Sequence, residues 1–231
     1  MIKISTGIIG LNELLGGGFP KNHVIAVIGP CGTGKSMMAL QFIYEGLKNN
    51  EPGIFISLDE SEEGLKKTAT AIGLDLDHYA KEQKLALVKL DASDVMTSVT
   101  RIESDLPPLI KSFGAQRIVI DPVSLIEMLF TNESERRGQL FNLCEMIKQS
   151  EATALLTSES NRDDPYTSKF GLLEYVVDGV IVLRFIRQQD LREAVLAMEV
   201  LKMRRCRHSR EIKPYAITDR GIEIYIESEV F

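Results

Sequence analysis

The fold of this chain is decided by Gly29-Pro30-Cys31-Gly32-Thr33-Gly34-Lys35-Ser36. These residues fit the pattern G-x-x-x-x-G-K-[ST]. The apolar residues 24–28 precede the pattern and are typical of a buried strand, and residues 36–49 follow it with helical spacing. A strand, a glycine-rich loop and a helix in this order predict a phosphate-binding loop.

The residue types of this loop suit a polyphosphate anion. Glycine accepts the positive φ angles that bring backbone N–H groups close to a ligand, and the N-terminus of the following helix attracts negative charge. We expect Lys35 to contact the β and γ phosphates of a nucleoside triphosphate and the Ser36 hydroxyl to bind Mg²⁺. The alternative, a glycine-rich turn that binds nothing, is disfavoured by the two flanking elements.

The composition is that of a globular domain. The chain has 231 residues, of which 44% are hydrophobic and 26% charged, enough for one domain spanning residues 1–231 with a substantial core. No apolar run is long enough to cross a bilayer and no secretory apolar segment follows Met1, so we expect no membrane contact and a cytoplasmic location. The three separated cysteines form neither a zinc pattern nor a disulfide framework.

Charge is distributed unevenly along the chain. The formal net charge of −6 argues against a surface that coats nucleic acid. Residues 184–213, however, contain nine arginines and lysines against four acidic residues, so the C-terminal third is locally basic.

Strands and helices alternate through the first two thirds of the chain, and strands dominate afterwards. The pattern predicts an α/β fold with a mostly parallel central sheet flanked by helices and a C-terminal antiparallel β extension. Before the first strand, residues 6–20 predict a short helix broken by glycines. The predicted strands are residues 24–28, 54–58, 85–90, 117–121, 152–157, 179–185, 193–203, 212–217 and 222–226. The predicted helices are residues 36–49, 61–72, 95–113, with a kink or restart at Pro107-Pro108, and 133–149. The predicted connections are a mobile polar loop at 160–168 and turns at 187–192 and 218–221.

Acidic residues follow two of the predicted parallel strands. Asp121 ends one strand, where a carboxylate can hold Mg²⁺ through its water shell, although it could instead cap a following helix. Asp59 and Glu60 follow another strand, and we expect Glu60 to act as the base that orients and deprotonates a water. The alternative for this pair is a favourable interaction with the positive end of the helix at 61–72.

The segment from Lys202 to His208 is too charged for a core strand throughout. In strand geometry Lys202 and Arg204 share one face, and two adjacent cations suit a phosphate cluster, including one bound by a neighbouring subunit. A solvated basic turn is the alternative.

These residues, taken together, resemble the KaiC-like ATPases of the RecA superfamily. The resemblance covers essentially the whole chain in family order. It rests on the glycines and leucines of residues 6–18, the phosphate loop, Asp59-Glu60, the strand ending at Asp121, and residues 156–159, 178–183, 202–209 and 217–222. The sequence departs from the family at Asp59, where the family has a glutamate, and at Arg205, where it usually has a glycine.

The resemblance implies a RecA-like sandwich that forms a hexameric ring with ATP between subunits. It implies that Glu60 and Asp59 form the catalytic acid pair and that the phosphates are held by Gly32, Thr33, Gly34, Lys35, Ser36 and Met37. It places Ala71 and Ile72 near the base of the nucleotide. It implies contacts from the adjacent subunit by Lys202, Met203, Arg204, Cys206, His208, Thr218 and Asp219.

The sequence thus predicts a slow ATPase that uses ATP and Mg²⁺, forms a homo-oligomer and switches a protein partner that the sequence does not identify. A DNA-binding recombination or repair ATPase is one alternative, which Asp163 and Asp164 in the predicted mobile loop disfavour. A non-enzymatic ATP-sensing scaffold is the other, since Asp59 is shorter than glutamate.

Overall fold

The computed structural model describes residues 1–90, 95–187 and 194–230, and only the backbone of residues 95–103. The predicted turn at 187–192 and the start of the predicted strand at residue 193 therefore lie largely outside the described residues. In the described part of the chain, no helix is both long and apolar enough to cross a bilayer.

Strands and helices follow one another in the order that the sequence predicts. The strands are β1 Lys3–Ile4, β2 Phe19–Pro20, β3 Val24–Gly29, β4 Gly53–Ser57, β5 Leu85–Lys89, β6 Arg117–Asp121, β7 Thr153–Glu159, β8 Gly179–Ile186, β9 Val195–Met203, β10 Lys213–Thr218 and β11 Gly221–Ile224. The helices are α1 Leu11–Leu14, α2 Lys35–Lys48, α3 Glu62–Ala71, α4 Leu76–Lys81, α5 Val95–Phe113, α6 Val123–Glu127, α7 Glu133–Gln149 and α8 Leu173–Val176.

Within the described ranges, β3 to β11 form one sheet in the order β11-β10-β9-β8-β3-β7-β6-β4-β5. The pairs from β8 through β5 are parallel, whereas β8–β9, β9–β10 and β10–β11 are antiparallel. The predicted mostly parallel sheet with an antiparallel extension is confirmed. Strand β3 lies inside the sheet, so the loop that follows it emerges between β7 and β8.

The sheet is buried on both faces. Ile25 and Val27 of β3 pack into one apolar layer together with α2, and Val24, Ala26 and Ile28 pack into a second layer together with α7. Burial on both faces explains why the parallel strands consist of continuous apolar residues and do not alternate between apolar and polar ones. The predicted apolar face of α7 is confirmed, since Leu140, Leu143, Cys144 and Ile147 are all buried.

Several details differ from the sequence prediction. Helix α5 continues through Pro107 and Pro108 and does not restart there. The kink stays a prediction, because a proline inside a helix removes a hydrogen-bond donor and its ring crowds the carbonyl four residues earlier. The short elements α4, α6, α8 and the β1–β2 pair were not predicted. Of these, α4 had a local signal, since the Asp75 carboxylate caps it by accepting a hydrogen bond from the N–H of His78 at 3.1 Å.

The polar segment at 160–168 forms a closed turn. A bridge joins Ser160 to Ser168, and the N–H of Asn161 donates to the carbonyl oxygen of Thr167 at 2.9 Å. The Arg184 guanidinium stacks on the ring of Tyr166 at 4.8 Å and thereby attaches the turn to β8. The mobility of this segment stays a prediction.

Candidate functional site

The loop between β3 and α2 has the backbone conformation that its glycines predict. Gly32 and Gly34 adopt φ angles of +84° and +86°, which favour glycine because a side chain would be strained there. A Cβ on Gly29 would lie 2.6 Å from the carbonyl oxygen of Leu183, so β8 leaves no room for a side chain at that position. Gly34 precedes the first turn of α2, which contains no acidic residue.

A cleft of about 320 Å³ lies over this loop, at the carboxyl ends of the parallel strands. This volume lies within the range of small-molecule sites, and the carboxyl edge of a parallel sheet is where such sites form. The lining brings together three parts that the sequence predicted separately: the loop with the first turn of α2, the acids after β4, and the acid that ends β6. The lining residues are Cys31, Gly32, Gly34, Lys35, Ser36, Met37, Asp59, Glu60, Thr68, Asp121, Pro122 and Glu159.

The Lys35 ammonium group is held by the loop itself. Its Nζ donates hydrogen bonds to the carbonyl oxygens of Gly29 at 2.7 Å and Pro30 at 2.9 Å. Burial lowers the pKa of Lys35, and the nearby charges of Asp121 and Glu159 act in the opposite direction. The cation is thus placed at the base of the cleft, between the loop carbonyls and the acids.

Asp121 is a buried carboxylate at the end of β6. Its Oδ1 accepts a hydrogen bond from the Thr157 hydroxyl, and its carboxylate also interacts with the Ser36 hydroxyl. Burial raises the pKa of Asp121, whereas the bonds from Thr157 and Ser36 and the charge of Lys35 lower it. Asp121 does not cap α6, whose N-cap position is occupied by Pro122. The structure therefore favours a role for Asp121 inside the cleft.

The pairing of Ser36 with Asp121 fits a magnesium ion. A hydroxyl and a buried carboxylate that line the same cleft offer the oxygen ligands that Mg²⁺ prefers, and Mg²⁺ takes only one or two ligands from a protein in phosphate sites. Among the described residues, no group of three or more His, Cys, Asp or Glu is placed to hold a metal. A site of this kind does not require such a group.

The structure places the side chains of Asp59 and Glu60 in different environments. Asp59 is exposed, whereas Glu60 is half-buried and its Oε1 accepts a hydrogen bond from the Thr68 hydroxyl at 3.3 Å. A Cβ on Gly64 would lie 2.7 Å from the same Oε1, so the Glu60 side chain packs closely on α3. Ser61 caps α3 by accepting a bond from the N–H of Gly64 at 3.2 Å, so neither Asp59 nor Glu60 is needed as the cap.

Two functional contacts were missed by the sequence analysis. Glu159 ends β7 and lies in register with Gly29, which places its carboxylate in the cleft. The sequence could have indicated this position of Glu159, because residue 159 follows the apolar run of a predicted strand that is parallel to β3. Tyr215 of β10 donates its hydroxyl to the carbonyl oxygen of Thr33 at 2.7 Å. Thr33 is itself fully buried and does not line the cleft.

Lys202 and Arg204 lie at the opposite end of the sheet from the glycine-rich loop. Lys202 pairs with Val180, at the start of β8, and the start of β8 pairs with the start of β3. Val180 pairs with Ala26 of β3, and the three residues from Ala26 to Gly29 separate these levels by about 10 Å along the strand. Both cations are therefore far from the loop of their own chain.

Backbone carbonyls of the α8 region hold both cations. The Lys202 Nζ donates to the carbonyl oxygens of Glu174 at 2.8 Å and Val177 at 2.7 Å, and Arg204 donates to that of Tyr175 at 3.1 Å. Arg204 also contacts the buried Asp178 carboxylate at 3.4 Å. Burial, and then the charge of Arg204, lower the pKa of Lys202. Arg204 lies just beyond the end of β9 rather than within it.

The remaining predicted site residues lie outside the cleft lining. Ala71 is exposed at the end of α3, and Ile72 beside it is buried. The other five lie near Lys202 or in the β10–β11 region: Met203 is buried, Cys206, His208 and Thr218 are half-buried, and Asp219 is exposed.

A larger cavity of about 780 Å³ lies near the C-terminal ends of α5 and α7. Its lining includes Lys21, Lys111 and Glu151 but no residue of the glycine-rich loop. The cleft over the loop is the candidate site because backbone, cation and acids converge there.

Residues 4–229 match the protein family described as "ATPase: KaiC". Among curated proteins, the chain is 32% identical over 236 residues to the circadian clock oscillator protein KaiC of Synechococcus elongatus, covering 96% of this chain and 44% of that protein. It is 33% identical to the KaiC of Acaryochloris marina, with the same two coverages. The chain thus spans less than half the length of these relatives.

Among solved structures, the chain is similar to the crystal structure of a KaiC-like protein from the hyperthermophilic archaeon Pyrococcus horikoshii OT3. The TM-score is 0.86 and the identity 32%, and the match covers 97% of this chain and 99% of that one. The predicted RecA-like fold and the predicted family are confirmed. The chain belongs to the KaiC family of ATPases.

Proposed function

We propose that this chain binds ATP with Mg²⁺ in the cleft over residues 29–36 and hydrolyses the γ phosphate slowly. The proposal is supported above all by one observation: Lys35, the Ser36–Asp121 pair and Glu60 line the same cleft. We also propose that residues 1–231 act as a single ATPase domain.

Each group in the cleft has a chemical task under this proposal. The N–H groups of Gly32 to Met37 and the Lys35 ammonium would hold the phosphates, and Ser36 and Asp121 would hold Mg²⁺, which neutralises charge on the phosphates. Glu60 would orient a water molecule and accept its proton. Asp59 lies next to Glu60 in the chain, but its own side chain is exposed. It would therefore support Glu60 only through its negative charge.

We propose further that the site is completed by a second copy of the chain, in a ring that is a hexamer by family resemblance. Lys202 and Arg204 lie too far from their own loop to contribute to it, yet they are held in fixed positions by backbone carbonyls. The exposed apolar residues Tyr166, Tyr175 and Leu201 line a groove with them. Apolar surface around fixed cations suits an interface with another copy.

Met203, Cys206, His208, Thr218 and Asp219 would join these cations in reaching the neighbour's nucleotide, and Ala71 and Ile72 would lie near its base. The cycle of binding and hydrolysis would switch a protein partner, which makes the role regulatory or signalling. Binding of single-stranded DNA is not favoured, because Arg162 is followed directly by two acidic residues.

Phosphate release from ATP, measured with and without Mg²⁺, tests the proposal. We expect release that requires Mg²⁺, and a Lys35→Ala variant that neither binds nor hydrolyses ATP. The matched control is Lys48→Ala, which removes an exposed cation at the other end of α2. ATP affinity that survives in Lys35→Ala would refute the site. Binding without phosphate release in the wild type would favour an ATP-sensing scaffold, and ATP-dependent, salt-sensitive binding to single-stranded DNA would favour a recombinase.

A further inference from the structure

Two hydroxyl groups hold Glu60, the proposed general base, at its main chain and at its carboxylate. Ser57 is buried at the end of β4. Its Oγ donates to the carbonyl oxygen of Glu60 at 2.7 Å and accepts a hydrogen bond from the N–H of Glu60 at 3.0 Å. Thr68 of α3 donates its hydroxyl to Oε1 of Glu60 at 3.3 Å. The position of Glu60 is therefore fixed from β4 and from α3.

Gly64 and Thr68 form a notch on α3 that receives the Glu60 carboxylate. The two residues are four positions apart and so lie on the same face of the helix. A Cβ on Gly64 would lie 2.7 Å from Oε1 and 2.8 Å from Cγ of Glu60. Glycine is a poor helix former, and the φ of Gly64 is not one of the positive values that favour it. What glycine provides at this position is room for the Glu60 side chain.

The hydroxyl of Thr68 is directed at Glu60 across the cleft wall. A threonine inside a helix can return its hydroxyl to the carbonyl four residues earlier, and Thr70 does so by donating to Lys66 at 2.8 Å. Thr68 instead bonds to Glu60, and both residues line the cleft. Among the described residues, no hydrogen bond reaches the other carboxylate oxygen of Glu60, Oε2. One carboxylate oxygen is thus held by α3, and the second has no partner in this part of the chain.

We infer that Thr68 is a positioning residue for ATP hydrolysis: it holds Oε1 of Glu60 against α3 and so keeps Oε2 available to the water that attacks the γ phosphate. The inference rests on the proposed function, because it takes Glu60 as the base. A glutamate side chain has several rotatable bonds, and fixing one oxygen removes most of its alternative positions. A displacement of about 1 Å at a reacting group can cost on the order of 100-fold in rate. Thr68 therefore acts on the rate of hydrolysis and not on the binding of ATP.

Thr68→Val keeps the shape of the side chain and removes the hydroxyl. We expect kcat for phosphate release to fall on the order of tenfold, because a hydrogen bond to a charged group is lost, while the affinity for ATP stays the same. Thr68→Ser restores a hydroxyl and should bring kcat back to within about threefold of the wild type. The matched control is Thr70→Val, which removes an exposed hydroxyl from the same helix and should leave kcat unchanged.

Gly64→Ala tests the same contact from the other side of the notch. The added methyl group would displace the Glu60 carboxylate, so kcat should fall as in Thr68→Val. Alanine also favours the helix, so the free energy of unfolding should not fall, and the lost activity cannot then come from poor folding. Normal kcat in both variants would overturn the inference. A higher kcat in Thr68→Val would overturn it as well, because the contact would then hold the base back.

A double variant distinguishes this inference from the proposed function. In Glu60→Gln the base is absent, so adding Thr68→Val should lower single-turnover phosphate release by no more than about a further twofold. A tenfold loss on the order of that in the wild-type background would mean that Thr68 acts independently of Glu60. That result would overturn the inference and leave the proposed base in place. Normal release in Glu60→Gln alone would overturn the proposed role of Glu60 and, with it, this inference.

Discussion

The hydroxyl of Tyr215 donates a hydrogen bond to the carbonyl oxygen of Thr33 at 2.7 Å, and this contact is buried. It joins the antiparallel extension of the sheet to the middle of the glycine-rich loop. The loop is thus supported by β10 on one side and by β3 and α2 at its two ends. The extension therefore supports the loop that lines the candidate site.

Tyr215→Phe should weaken ATP binding by about three- to tenfold, because a buried hydrogen bond contributes about 1 kcal/mol and its loss leaves the Thr33 carbonyl unpaired. Titration with a fluorescent ATP analogue measures the change. Tyr225→Phe is the matched control, since that tyrosine is 45% exposed. Equal affinities for the two variants would show that the contact does not support the loop.

Glu60→Gln should bind ATP normally and slow its hydrolysis by about 100-fold or more, because a general base is removed while the shape of the side chain is kept. Asp59→Asn should have a smaller effect, since Asp59 is exposed and Glu60 is held against α3. Single-turnover phosphate release separates the two. If hydrolysis slowed more in Asp59→Asn than in Glu60→Gln, Asp59 rather than Glu60 would be the general base.

Arg204→Ala should slow hydrolysis in the assembled protein, on the order of 100-fold or more, if its guanidinium stabilises charge on the neighbour's phosphates. Arg205→Ala is the control, because Arg205 is the adjacent cation and is exposed. Turnover at saturating ATP, measured on assemblies of matched size, gives the comparison. If both variants lost the same activity, the effect would come from the positive charge of this segment and not from the position of the Arg204 guanidinium.

Glu127 should make the stability of the fold depend on pH. It is 1% exposed, and neither carboxylate oxygen has a hydrogen-bond partner among the described residues. Burial, followed by the charge of Glu174, raises the pKa of Glu127 to about 7 from 4.5, while Arg136 and Lys169 act in the opposite direction. Below pH 4.5 the folded and unfolded states both hold the proton. As pH rises towards 7, the unfolded chain releases it first, so the free energy of unfolding falls by up to about 3 kcal/mol.

Glu127→Gln removes this titration. Its free energy of unfolding relative to the wild type should therefore rise between about pH 5 and about pH 7 and then level off. Urea unfolding across that range measures the difference, and Glu135→Gln, an exposed acid on α7, serves as the control. A difference that stays constant with pH would mean that Glu127 is not protonated in the folded protein.

The sequence predicted the sheet well, because its parallel strands are buried on both faces. Ile25 and Val27 face one apolar layer and Val24 and Ile28 the other, so the run of apolar residues is itself the signal for a central strand. The loop was predictable for a different reason, since a tight turn with positive φ at Gly32 and Gly34 needs those glycines.

Contacts between distant parts of the chain could not be predicted. Tyr215 and Thr33 are 182 residues apart, and Gln41 and Ile222 are 181 apart. Local periodicity carries no information about such pairs, because each residue is an ordinary member of its own strand or helix. The bond between Glu60 and Thr68 spans only eight residues. It was missed for another reason, because local periodicity does not show that the Glu60 side chain turns back onto α3.

A structure of the protein with a non-hydrolysable ATP analogue and Mg²⁺ tests the central claim most directly. We predict a triphosphate on residues 29–36 of one subunit, with Ser36 and Asp121 beside the metal and Lys202 and Arg204 of the next subunit at the phosphates. A triphosphate contacted by one chain only, or bound away from this loop, would contradict the claim.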